Sequence, residues 1–146
     1  MATRRYTAPQ FLSDCVSQAQ YDRWLDRKAR AHVRRDRDTA VDISVSVYKQ
    51  LIHDAVCASE GRDAYTGETL DWTLSSKWRN DEAKRLGSTY KKNFALLPSV
   101  DHVLGRNDTP EFKICSWKMN DAKNDLSIDE FLDLSKKVIR HLSHSD

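Results

Sequence analysis

The 146-residue sequence predicts a mostly helical α+β domain with a small two-stranded unit embedded among helices, and three observations carry that expectation. Long stretches repeat apolar residues at three- and four-residue steps, the period of a helix face. One region, residues 94–116, reads instead as two short strands around a loop. Four glycines and three prolines leave little material for a loop-dominated fold. With 39% hydrophobic and 32% charged residues, the chain has the apolar content of a soluble globular protein. Its length suits one domain.

Residues 1–15 read as an irregular opening segment with a short helix after Pro9. From Gln18 to Arg37 the pattern is helical, with Tyr21, Trp24, Leu25, Ala29, His32 and Val33 on one apolar stripe. Arg23, Arg27, Arg30 and Arg34 follow steps of four, three and four on another face, a continuous basic stripe. A second helix runs from Ser44, its N-cap, to Ala58. Tyr48, Leu51, Ile52, Ala55 and Val56 form its buried face and Gly61 ends it. These helices make up the N-terminal part, residues 1–60.

Asp63 to Trp72 reads as a turn around Gly67 between short extended arms, and 73–93 as a polar, partly helical insertion. The apolar run Phe94–Val100 leads into Asp101-His102, in a strand ending near Val103. Gly105 to Pro110 is a loop, Glu111 to Ser116 the partner strand, and Trp117 to Lys123 a short helix. Hairpin, insertion and strand–loop–strand–helix together span 61–126. The last segment, 127–146, is a helix opened by the capping box Ser127-x-x-Glu130, with Phe131, Leu134, Val138 and Leu142 as its expected core face.

The net charge of +2 names no partner by itself, although the arginine stripe shows that the charge is unevenly spread. Cys15, Cys57 and Cys115 are odd in number and widely spaced, and no C-x-x-C occurs. Reduced thiols in a cytoplasmic protein, with no structural zinc, are the expectation. The two arginines near the start precede no apolar run, so neither a secretory signal nor a membrane span is expected.

Chemistry concentrates at residues 99–124, where strand, loop, strand and helix bring Asp101-His102 close to Asn120. Phosphodiester hydrolysis needs a divalent ion on hard oxygen ligands, a base near neutral pKa and an open coordination position. Asp101 and Asn120 offer the oxygens and His102 the base. In a regular strand Asp101 and His102 face opposite ways, so one site can use both only if the strand ends or distorts there.

Val100-Asp101-His102-Val103, then Phe112-Lys113-Ile114-Cys115-Ser116-Trp117, then Asn120-Asp121-Ala122-Lys123 resembles the ββα-metal finger of HNH endonucleases. The likeness is to the D-H…N form of phage junction resolvases and CRISPR-associated HNH domains. Tyr65-Thr66-Gly67 stands where many members carry a zinc-binding cysteine. The resemblance implies a one-metal, histidine-base DNA endonuclease: Asp101 and Asn120 bind Mg²⁺ or Mn²⁺, His102 activates water, and Lys123 contacts phosphate. Such a site cuts one strand, so double-strand cleavage would need a second protomer, in a homodimer, or a second binding event. The family's middle asparagine is replaced by Glu111, nine residues before Asn120, with Asn107 the candidate to substitute. A ribonuclease on structured RNA and a catalytically silent nucleic-acid-binding module remain as alternatives.

Each assignment has an ordinary competitor. Lys123 reads more readily as an exposed helical lysine than as a phosphate contact. The arginine stripe reads as a solvated face, because Asp22, Asp26, Asp36 and Asp38 are interspersed and Asp26–Arg30 is a helix-stabilising pair. If it does bind nucleic acid, arginine chemistry favours phosphate contacts over base readout. Trp24 and Trp78 read as core residues more readily than as base-stacking ones. His32, His53, His141 and His144 are expected to be ordinary helical residues.

Overall fold

The computed structural model describes residues 6–37, 44–77, 80–103 and 110–143. Its elements, in order, are α1 (Gln18–Asp36), α2 (Val45–Ser59), α3 (Asn80–Leu86), α4 (Ser88–Asn93), β1 (Pro98–His102), β2 (Phe112–Ser116), α5 (Trp117–Lys123) and α6 (Ile128–Ser143). Short 3₁₀ turns occupy Gln10–Leu12, after Pro9, and Trp72–Ser76. The protein is mostly helical with one small antiparallel sheet.

Side-chain caps set the helix starts. Ser17 and Gln20 form a capping box on α1, a signal the sequence reading did not use. Ser44 accepts from the Val47 amide at α2, and Ser116 from the Met119 amide at α5. The end of α2 differs slightly from expectation. The left-handed step falls already on Glu60, at φ 52°, before Gly61 at φ 83°.

The stripe of α1 buries Tyr21, Trp24, Leu25 and Ala29, and α2 contributes Tyr48, Ile52 and Val56. Trp24 meets Trp72 edge-on at 4.9 Å, which makes Trp24 a core residue. α2 lies against both α1 and β2, and Phe112 packs on Tyr48 at 5.1 Å. β1 and β2 pair in register from Pro98↔Ser116 to His102↔Phe112. The turn at 63–67 is tied to this hairpin: Asp63, fully buried, accepts from the amides of Tyr65, Thr66 and Ser116, and the Ala64 amide donates to the Ile114 carbonyl.

One expectation fails. α6 has its capping box, with both Ser127–Glu130 bonds made, but no residue of the helix is buried. Leu134, Val138 and Leu142 are 51%, 49% and 71% exposed, so this face is not part of the core. The period predicted an apolar face correctly, but among the described residues none packs over it closely enough to bury it. The loop containing Asn107, together with Trp78, Asp38 and His144, lies outside the described residues.

Candidate metal and phosphodiester site

β1 sorts the candidate residues by strand alternation. Ser99 and Asp101 point to one face, Val100 and His102 to the other. α5 covers the first face. Asn120 donates through Nδ2 to Ser99 Oγ at 2.8 Å, and Lys123 Nζ lies 3.2–3.3 Å from the two carboxylate oxygens of Asp101. Tyr65, carried by the turn pinned through Asp63, donates its hydroxyl to Asp101 Oδ2 at 2.5 Å. Asp101 and Lys123 are both buried, which corrects the reading of Lys123 as an exposed lysine. The Asp101 carboxylate offsets the cost of taking the Lys123 ammonium out of water. Burial and then the bond to Asp101 push the Tyr65 hydroxyl up, so it remains a donor at neutral pH.

His102 faces α1. Its Nε2 lies 3.3 Å from Asp36 Oδ2, and the same oxygen accepts the Tyr48 hydroxyl at 2.6 Å. Phe112 packs edge-on against the imidazole at 5.2 Å, and His32 stands next to it, ring centroids 6.4 Å apart. The ring is only 4% exposed. β1 ends at His102, the condition under which alternation still lets both residues serve one place. Asp101, His102, Asn120 and Lys123 border a single cleft of about 640 Å³, whose rim includes His32, Arg35 and Trp117.

The oxygens that a hard divalent cation would take here are the Asp101 carboxylate, already held by Lys123 and Tyr65, and Oδ1 of Asn120, whose Nδ2 is committed to Ser99. The Lys123 ammonium already provides positive charge against Asp101, so an ion bound there has to share or displace it. Among the described residues no group of three histidine, cysteine, aspartate or glutamate side chains gathers on one point. Cys15 and Cys57 are exposed, Cys115 is buried, and none is disulfide-bonded. No helix among the described residues is long and apolar enough to cross a membrane.

The basic stripe does not converge on the site as a unit. Arg23, Arg30 and Arg34 are exposed away from the cleft, and Arg30 pairs with Asp26 at 2.9 Å. Arg27 borders an adjoining groove together with Lys28 and Arg35, which the sequence reading passed over. Asp36 and Tyr65 were also missed. Asp36 had a signal: it continues the buried stripe Leu25, Ala29, His32 by one more step of four, and a carboxylate on an apolar stripe calls for a buried partner. Tyr65 had none, because its contact is made across 36 residues. Compared with family models, curated proteins and solved structures, the chain matches none.

Proposed function

We propose that the protein is a metal-dependent endonuclease of the HNH type that hydrolyses DNA phosphodiester bonds. The observation that carries this reading is the meeting of Asp101, His102, Asn120 and Lys123 at one cleft on a strand–strand–helix unit. Asp101 and Asn120 are the residues that would hold Mg²⁺ or Mn²⁺. A bound ion there supplies charge stabilisation for the pentavalent phosphorus and the leaving 3′ oxygen. His102 takes a proton from water as the water oxygen bonds to phosphorus and the P–O3′ bond breaks. The leaving O3′ takes a proton from solvent, and His102 returns its own to solvent. The ends left are a 5′-phosphate and a 3′-hydroxyl. Asp36, 3.3 Å from Nε2 of the imidazole, places a carboxylate beside the ring that would stabilise the imidazolium once His102 has taken the proton. Tyr65 and Lys123 fix the carboxylate of Asp101.

Nicking of supercoiled plasmid tests the proposal. The parent should relax plasmid with Mg²⁺ or Mn²⁺, and Asn120→Ala should require more metal for half-maximal rate. No nicking with either ion ends the reading. The Asp101–Lys123 ion pair favours a second reading, a nucleic-acid-binding module whose carboxylate is already neutralised. A metal titration separates the two. Parallel digestion of structured RNA separates a deoxyribonuclease from a ribonuclease.

A further inference from the structure

A groove of about 540 Å³ adjoins the cleft and shares His32, Arg35, Trp117 and Asn120 with it. Its walls carry Arg27, Lys28, His32 and Arg35 and no carboxylate, in a chain with 22 acidic residues. Positions 28, 32 and 35 follow steps of four and three, so α1 presents them on one face. Arg27, Lys28 and Arg35 have no ion-pair partner among the described residues, whereas Arg30 and Lys49 nearby both pair with Asp26. Burial, then the charges of Arg27 and Arg35, push the Lys28 ammonium down to about 8. Clustered like charges oppose folding, and an external anion that fills the groove relieves them.

We propose that this groove binds the phosphodiester backbone of a nucleic acid through Arg27, Lys28 and Arg35 and leads it into the Asp101–Asn120 cleft. The endpoint rests on the hydrolase reading; the groove's affinity for polyanions does not.

Anisotropy titrations of a labelled DNA duplex and a labelled RNA hairpin, in EDTA, read binding without cleavage. Arg27 and Arg35 are exposed, so their joint change to Ala leaves the fold intact. It should flatten the salt dependence on duplex DNA by about two units, from a slope of about −0.9 per phosphate contact. Arg23→Ala with Arg34→Ala should change nothing. Loss on the duplex alone assigns DNA, loss on the hairpin alone assigns RNA, and parental binding to both overturns the groove.

Lys28 adds a pH signature. The titratable groups facing it are Arg27, His32 and Arg35 of α1, and neither β1 nor α5 brings another into the groove. Above pH 8 the free protein has lost the Lys28 proton and binding must take one up. Affinity therefore falls by up to about tenfold per pH unit. Lys28→Arg should abolish that fall, and a parent insensitive to pH from about 7 to about 9.5 overturns the Lys28 contact. Plasmid nicking is scored separately. Cleavage with unchanged binding in the double variant overturns the groove alone. Groove-dependent binding without cleavage overturns the hydrolase reading alone.

Discussion

Replacing Lys123 by Met separates the lysine's structural role from the metal-binding capacity of Asp101. The Lys123 side chain is 2% exposed and that of Asp101 5%, with Nζ 3.2 Å from Oδ2. Removing one partner of a buried pair leaves the other charge uncompensated, at a cost of about 3–5 kcal/mol. Tyr65 still donates to Asp101, so the lower figure is the better expectation. For a domain near this size each kcal/mol moves Tm by roughly 2–4 °C, so the variant should melt about 6–12 °C lower. The vacated space faces the Asp101 carboxylate. A divalent ion at ten times its dissociation constant should therefore return about 1.4 kcal/mol, roughly 3–6 °C. In the parent the ion competes with the ammonium and the rise should be smaller. Differential scanning fluorimetry with Mg²⁺ and Mn²⁺ series reads all of this without any cleavage assay. Adding Asp101→Asn should abolish the metal response. A folded Lys123→Met protein with no metal-dependent rise, or one whose rise survives Asp101→Asn, refutes Asp101 as a ligand.

Three further outcomes follow from the geometry. His102→Ala should lower plasmid nicking by at least ~100-fold while the far-ultraviolet circular dichroism stays parental, and near-parental nicking would remove His102 as the base. Asp36→Ala strips the acceptor from the buried Tyr48 hydroxyl and should cost about 1.5–3 kcal/mol in urea unfolding; an unchanged midpoint refutes the bond's weight. Burial, then Asp63 and Asp101, push the Cys115 thiol well above its ordinary value, which leaves little thiolate at pH 8. Iodoacetamide should label Cys15 and Cys57 in the native protein and Cys115 only after unfolding, as mass spectrometry of the peptides would report.

Much of the fold could be read locally because its signals are local. The α1 stripe, the Ser44 cap, the Ser127–Glu130 box and the paired strands around Asp101-His102 all depend on neighbours a few residues away. The strand alternation that sends Asp101 to α5 and His102 to α1 was equally readable. Candidate residues 101, 102, 120 and 123 could be named from one contiguous stretch because strand, loop, strand and helix stay adjacent in space.

Tertiary structure decided what lies opposite each face. A helical period shows that α6 has an apolar side, but whether another element covers it depends on where the chain goes next. Here none of the described residues does so closely enough to bury it. Lys123 could equally have been a solvated lysine, and only the arrival of Asp101 from β1 makes its burial affordable. Asp36 and Tyr65 meet the site across 66 and 36 residues, and no spacing rule spans such distances. The arginine stripe is real as a period, but its members do not share one surface. Rotation of α1 against β1 turns Lys28 and Arg35 into the groove with Arg27 and leaves Arg23, Arg30 and Arg34 outside. Sequence therefore determined which faces exist, since side-chain period is a property of the local backbone. Packing determined which faces meet, since burial is a property of the whole chain.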